Sequence, residues 1–385
     1  MGLNSITTGN KRWIVWLAAV FCIFICLLFG YYLVYHSDPL DSIRHRKDAY
    51  SSLSVIAEEL TEALSDRQDK DMVVYVRDMD LDEIRYVNYY MDTIDGTVTD
   101  FTVYPSVFGV REVRFKIERS DNSYVYDAYV NNIPIPSDRP KAEILYKKVC
   151  DILDKILYED MTVYNKELAI HDYIIEHCEY STGREDDKNE FRAYGALVDG
   201  KAVCNGYAEA MSLLLSCAEV ENRYVIGTAI QPFSVDRNTE DKGDGGHPEN
   251  HAWNQVCINQ KWFNVDATWD DPDIGMPVVS HRYFNITDEI LREDHTWSEE
   301  KAKKCVDMDW NYFEKKNLYS KNGNISAEVK KLVSGHPHGY LELAFSGNNP
   351  SENDLETVFS VPGVSKLSYL VSGNGKYKIL HLFIN

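Results

Sequence analysis

Apolar and polar positions alternate differently in successive stretches of the chain. Residues 13–35, WIVWLAAVFCIFICLLFGYYLVY, run without a charge. At about 1.5 Å per residue, a helix of that length reaches across a hydrocarbon core of about 30 Å. Trp13 and Trp16 at one end, and Tyr31, Tyr32 and Tyr35 at the other, stand where interfacial aromatic belts stand. A cleaved signal would be shorter and would end in an A-x-A-like site, and no such site follows Gly30. Neither Cys22 nor Cys26 follows the small residue a lipoprotein site needs. The stretch predicts an uncleaved membrane anchor.

Residues 40–66 carry Leu53, Ile56, Ala57 and Leu60 at helical spacing among many charges. Residues 72–135 mix strand-like and helical pieces. There VRFKIE (113–118) and YVYDAYV (124–130) flank Asp121-Asn122 and predict a hairpin. From 141 the period turns helical, in KAEILYKKVCDILDKIL and then NKELAIHDYIIEHCEY. Residues 195–200 form a loop or short helix before the next helix. The polar, Gly-rich segment 236–250 reads as a mobile loop, and its acids lack the spacing of a calcium loop. After 300 the pattern gives a strand at 339–345, a helix at 352–359 and a hairpin over 365–383 turning at Asn374-Gly375. These shifts divide the chain into an anchor (1–36), a helical stalk with a small α+β domain (37–140), a central core (141–300) and a small C-terminal module (301–385).

Composition narrows the function. The chain has 385 residues and a formal net charge of −21. No acid precedes Asp38, so the excess lies wholly beyond the apolar stretch. Such a balance opposes nucleic-acid binding, which needs a basic face to neutralise phosphate. Basic residues flank the apolar stretch on both sides and do not decide its orientation. A short tail inside and a large domain outside is the common arrangement. Eight cysteines are present, six of them outside the anchor, with neither a CxxC pair nor zinc-type spacing.

Two stretches carry chemistry. From Cys204 onward, Tyr207, Ala208, Met211, Leu214, Leu215 and Ala218 line one face of a helix. Cys204 therefore opens that helix, where free N–H groups favour a thiolate and can stabilise an oxyanion. The plainer alternative is a buried structural cysteine. In residues 250–269 two strands meet at Asn259-Gln260. A two-residue turn there sets Asp266 opposite Trp253 and puts His251 two residues along on the same face, within reach of Asp266. A slip of one residue would separate them. The geometry allows a carboxylate that orients an imidazole and an imidazole that activates a thiol, although a lone strand histidine is more often structural.

The order Cys, His, Asp in AYGALVDGKAVCNGYAEAMSLLL (193–215) and ENHAWNQVCINQKWFNVDATWDDP (249–272) resembles the transglutaminase-like superfamily. RYFNITDEILREDHTW (282–297) and the helix over 166–180 add to the likeness, which spans roughly 140–300. The resemblance implies a papain-related α+β fold with the Cys helix packed on an antiparallel sheet. It implies Cys204 as nucleophile, His251 as general base and then acid, and Asp266 as the group that orients His251. Cys204's own N–H would be one oxyanion donor. Animal members use a Trp well upstream for the second, and no matching Trp exists here. Tyr180 and Tyr194 are the aromatic candidates, with Tyr180 preferred. Trp253 and Trp269 are expected to pack or to wall a substrate cleft. His171 reads as structural, Asp270 and Asp271 as a turn and helix-cap pair, and His295 has no metal partner at suitable spacing.

The resulting expectation is a cell-surface thiol enzyme acting on peptide or protein amides, as a peptidase, amidase or transglutaminase. It needs no cofactor and shows no metal motif. The alternative is a non-catalytic binding or assembly module of the cell envelope built on the same scaffold, because a fold alone never proves activity.

Overall fold

The computed structural model describes residues 9–385 apart from 80, 92–93, 182–187, 231–247, 272–277, 300–301, 322–323 and 374. Two compact units divide at Ser120 and Asp121. Most of the Gly-rich segment 236–250, and Asn374 of the C-terminal turn, lie outside the described residues.

The first unit opens with the apolar helix Gly9–Tyr35. Its span Trp13–Tyr35 has a mean hydropathy of 2.7 and is long and apolar enough to cross a membrane. The helical run expected over 40–66 is two helices, Pro39–Arg44 and Leu53–Ala63. Pro39 fits the first helical position, and the Asp38 carboxylate accepts the Leu40 N–H. The second helix buries Ile56, Ala57 and Leu60, the residues that carried the helical spacing. They pack with Val74, Phe115 and Ile117 of an antiparallel sheet. That sheet holds β1 (Lys70–Arg77), β2 (Gly96–Val103) and β3 (Val110–Arg119) in the order β1-β3-β2.

The second unit corrects one expectation. Residues 124–130 are not the return strand of a hairpin but part of the helix Asp121–Val130. Its Tyr and Val content favours strand. Burial of Asn122, Ser123, Val125 and Asp127 overrides that preference, and Asn122 donates to the Glu209 carboxylate at 3.1 Å. Helices Pro140–Ile156 and Val163–His177 follow where the periodicity placed them. Strand β4 (Glu179–Tyr180) pairs in parallel with β5 (Lys201–Ala202), and helix Cys204–Cys217 starts immediately after. Every residue of that helix except Ser216 is buried.

The main sheet contains β6 (Asn222–Ala229), β7 (Glu249–Ile258), β8 (Lys261–Val265), β9 (Phe284–Ile286) and β10 (His295–Thr296). Its order is β10-β6-β7-β8-β9, antiparallel throughout. Asn254 of β7 ties the sheet to the Cys204 helix, donating to the Ala208 carbonyl at 3.0 Å and to Ser212 Oγ at 2.8 Å. Leu214, Val256, Phe263 and Phe284 belong to the apolar layer of this packing. The α+β arrangement is the papain-like one, a helix that begins at cysteine laid on an antiparallel sheet.

The C-terminal module adds β11 (Tyr319–Ser320), β12 (Gly339–Phe345), β13 (Leu367–Ser372) and β14 (Lys378–Ile384), ordered β11-β12-β14-β13, with helix Ile325–Gly335. The helix expected at 352–359 is an α turn, Glu352–Glu356, running into a 3-10 turn, Thr357–Ser360. Phe313, Tyr377 and Ile379 share a cluster with Val225, Trp253 and Ile286 of the main sheet, so the module and the core are continuous.

Candidate active site

Cys204 is the first residue of its helix and is 5% exposed. The first N–H groups of a helix have no intrahelical acceptor. Gly206 lets that first turn sit close to its support. A Cβ there would lie 2.6 Å from Ala202 Cβ and 2.7 Å from the Glu190 carbonyl oxygen. Further along the helix, buried Glu209 accepts from Arg192 Nη1 at 3.0 Å and from the Ala193 N–H at 3.1 Å. These bonds fix the 190–193 segment beside the cysteine.

His251 and Asp266 come from the β7–β8 hairpin. Ile258 pairs with Lys261 and Asn254 with Val265, the register of a two-residue turn. Asn259 and Gln260 both have positive φ, 52° and 66°, as a type I′ turn requires. Asp266 follows β8 directly and meets His251 Nε2 at 2.7 Å. Its other oxygen accepts the N–H groups of Thr268 (3.0 Å) and Trp269 (3.2 Å). The carboxylate is fully buried and its hydrogen-bond partners, His251 first, hold it well below the usual carboxylate range against the opposing effect of burial. Burial alone would lower the His251 pKa. The charge and hydrogen bond of Asp266, with a smaller contribution from nearby Cys204, outweigh it and push the imidazole up to about 10. With Nε2 engaged by Asp266, Nδ1 is the nitrogen left for Cys204.

A third group reaches the same carboxylate. His295 Nε2 lies 3.1 Å from Asp266 Oδ2, and its Nδ1 lies 2.6 Å from Asp294 Oδ1. His295 is fully buried on edge strand β10. The sequence marked His295 but gave it no partner, because its contact depends on β10 pairing with β6, His295 opposite Ala229. Gly227 of β6 faces His251 across the ladder. A side chain there would overlap the Thr296 carbonyl and the Trp253 ring.

The remaining candidates separate. Tyr180 is 46% exposed, and strand pairing sets it opposite Ala202, two residues before Cys204. Partial desolvation and then the Cys204 charge raise its phenol pKa, which keeps the O–H available as a donor. Trp253 is 1% exposed, so it takes the packing role and is not a cleft wall. Its ring stacks on His251 at a centroid distance of 6.1 Å. Trp269 is partly exposed, 5.0 Å from the His251 ring and 4.3 Å from the His295 ring.

Asp270 closes the turn over 267–270, and the helix expected to follow Asp271 falls on residues 272–277, outside the described residues. Buried Asp270 accepts the Tyr283 N–H at 2.9 Å and lies 3.2 Å from His171 Nε2, and Asp271 accepts the Tyr207 O–H at 2.5 Å. All eight cysteines are free thiols. Two clusters among the described residues bring metal-capable atoms within 4.8 Å of one another, His251–Asp266–His295 and His171–Asp172–His281.

Residues 151–267, which include Cys204, His251 and Asp266, match the family model described as the transglutaminase-like superfamily. Kyphoscoliosis peptidase of Homo sapiens is 25% identical over 211 residues, 51% of this chain and 30% of the relative. The Mus musculus protein of the same name is 24% identical over 214 residues, 52% of this chain and 32% of the relative. The chain thus spans under a third of the curated relatives it matches. A crystal structure of a candidate cysteine protease from Cytophaga hutchinsonii overlaps 46% of this chain and 67% of its own, with 16% identity and a TM-score of 0.25.

Proposed function

Starting from a chain whose residues 151–267 are a transglutaminase-like domain, we propose a thiol acyl-transfer enzyme acting on peptide or protein amides. One observation carries this reading. The buried His251–Asp266 pair, 2.7 Å apart, has Cys204, the first residue of its helix, near enough to add to the rise in the imidazole pKa. A raised imidazole pKa keeps His251 as the proton-bearing partner that a Cys–His acyl-transfer centre uses.

Cys204 Sγ attacks the amide carbonyl carbon, and the carbonyl π pair moves to oxygen. The Cys204 N–H and the Tyr180 O–H receive that oxyanion. Asp266 holds His251 in place while its imidazolium gives a proton to the leaving nitrogen as the C–N bond breaks. A thioester and a free amine result. Deprotonated His251 then takes a proton from water, hydroxide attacks the thioester, and acid and thiolate are released. An amine in place of water gives transamidation. Hydrolysis is preferred here because water needs no acceptor site. No cofactor enters these steps. The helix Trp13–Tyr35 would anchor the chain, with the core outside the cell facing envelope or surface peptides, basic ones above all given the net charge of −21.

The deciding experiment is the rate at which iodoacetamide alkylates Cys204 in the full chain in detergent micelles, followed by peptide mass spectrometry against pH. Wild type should react rapidly well below pH ~8, and His251→Ala should slow it at least tenfold there. A rate following an ordinary thiol near pKa ~8.5, unchanged in the variant, would overturn the reading in favour of a non-catalytic binding module.

A further inference from the structure

Behind the helix that carries it, His171 belongs to a second constellation that the chemistry above does not use. Helix Val163–His177 presents His171 and Asp172, and His281 arrives from the segment before β9. One carboxylate oxygen lies between two imidazoles. Asp172 Oδ1 is 2.9 Å from His171 Nδ1 and 3.2 Å from His281 Nε2.

The far nitrogen of each ring meets a different buried carboxylate. His171 Nε2 lies 3.2 Å from Asp270 Oδ2, and His281 Nδ1 lies 2.9 Å from Glu342 Oε2. Those carboxylates are held in turn. The Tyr283 N–H binds Asp270 at 2.9 Å, and the Tyr340 O–H donates to Glu342 at 2.8 Å. The rings are fixed by packing as well. Tyr312 stacks on His281 at 3.6 Å, and Phe284 meets His171 edge-on at 5.0 Å.

We propose that His171 Nδ1, Asp172 Oδ1 and His281 Nε2 bind one divalent first-row transition-metal ion, with zinc as the reference ion. Four features of the cluster support this. The donor set, two imidazoles and one carboxylate, suits zinc and its neighbours and not the oxygen-seeking calcium or magnesium. Two of the three donor separations, 2.9 and 3.2 Å, lie near the ~3.3 Å between donors bound at ~2.0–2.1 Å on a tetrahedron, and the third is within 4.8 Å. The two observed separations require an expansion of a few tenths of an ångström. Each liganding ring has its far N–H on a carboxylate, the arrangement that orients metal-binding histidines and strengthens them as ligands. Finally, the Asp172 side chain is 35% exposed while both histidines are buried, so solvent reaches the carboxylate of the cluster.

Binding breaks the two N–H bonds aimed at Asp172 Oδ1 and releases both protons to solvent, while the ion sheds waters and gains bonds to His171 Nδ1, His281 Nε2 and Asp172 Oδ1. The bound ion would staple helix Val163–His177 to the His281 segment and, through Glu342, to β12. It would do so apart from the Cys204 centre. The other His–Asp–His cluster is the weaker candidate, because Asp266 is 1% exposed and both its oxygens are engaged.

Zinc chloride titrated into the metal-stripped full chain in micelles tests this by calorimetry, with the edge absorption spectrum of the loaded protein as a second readout. One equivalent should bind, two imidazoles should appear in the ligand shell, and the melting temperature should rise and fall back with EDTA. Asp172→Asn, at the partly exposed position, should weaken binding at least tenfold. Glu342→Gln should weaken it 10- to 100-fold through the orientation of His281. His295→Gln should leave it unchanged. Failure to bind zinc in a chain that melts cooperatively would overturn the proposal. So would binding that survives Asp172→Asn, or binding abolished by His295→Gln.

Discussion

Asp266 sits between two imidazoles, His251 at 2.7 Å and His295 at 3.1 Å, and both contact the same oxygen, Oδ2. The carboxylate therefore does more than orient one ring. It joins edge strand β10 to the hairpin that supplies His251.

That arrangement makes stability depend on pH in a definite direction. His251 titrates near 10 in the folded chain and near ~6.5 when unfolded. A group raised on folding stabilises fully below its unfolded value and loses that contribution as pH climbs to the folded one. From this pair the second unit should lose at most about 5 kcal/mol between pH ~6.5 and ~10. In Asp266→Asn the His251 share of the slope should be gone, leaving that of His281, which Asp172 and Glu342 also push up to about 10. Urea unfolding at both ends of that window checks it, and equal slopes would show that Asp266 does not set the His251 charge.

His295 acts through Asp266 and so is a positioning residue. His295→Ala should slow Cys204 alkylation at pH ~6.5 by roughly 10- to 100-fold, as misplaced catalytic groups do. His295→Gln, which keeps an N–H donor, should recover much of the rate. A purely structural role predicts no such difference between Ala and Gln at equal melting temperature.

Tyr180 separates two kinds of reactivity. Tyr180→Phe should lower amide turnover about 100-fold, the usual cost of one oxyanion donor. Alkylation by iodoacetamide forms no oxyanion and should be untouched. Parallel loss of both would mean that the ring shapes the thiol's surroundings and is not a donor.

Gly206→Ala places a methyl group 2.6 Å from Ala202 Cβ and 2.7 Å from the Glu190 carbonyl oxygen, neither of which is the flexible end of a side chain. Destabilisation of roughly 1–3 kcal/mol is expected from this overpacking, read as a lower urea midpoint. An unshifted midpoint would show that the 190–193 segment moves freely away from the helix.

Short-range rules carried much of the fold. The apolar face from Cys204 to Ala218 and the turn at Asn259-Gln260 are local, so the helix start and the β7–β8 register were legible from neighbouring residues. What escaped depends on distant pairing. Residues 124–130 have strand-forming side chains but coil as a helix, because Asn122 and Val125 are buried in the second unit, Asn122 against Glu209. Asp270 looked like a cap before a proline, yet it serves His171 from 99 residues away. His171 and His281 lie 110 positions apart, so no motif spacing could announce that both face Asp172.

The two-residue turn at Asn259-Gln260 carries an implication for sequence divergence. His251 and Asp266 depend on one loop for their relative parity, so the length of that loop is a fixed quantity. One inserted or deleted residue that slips β8 against β7 would part Asp266 from His251 and turn Phe263 and Val265 out of the apolar layer. Elsewhere on the surface such changes are cheap. Descendants of this chain that keep the chemistry should therefore vary in the letters of this hairpin and never in its count. A single-residue indel there would mark the point at which a lineage rebuilt this hairpin and gave up the reaction.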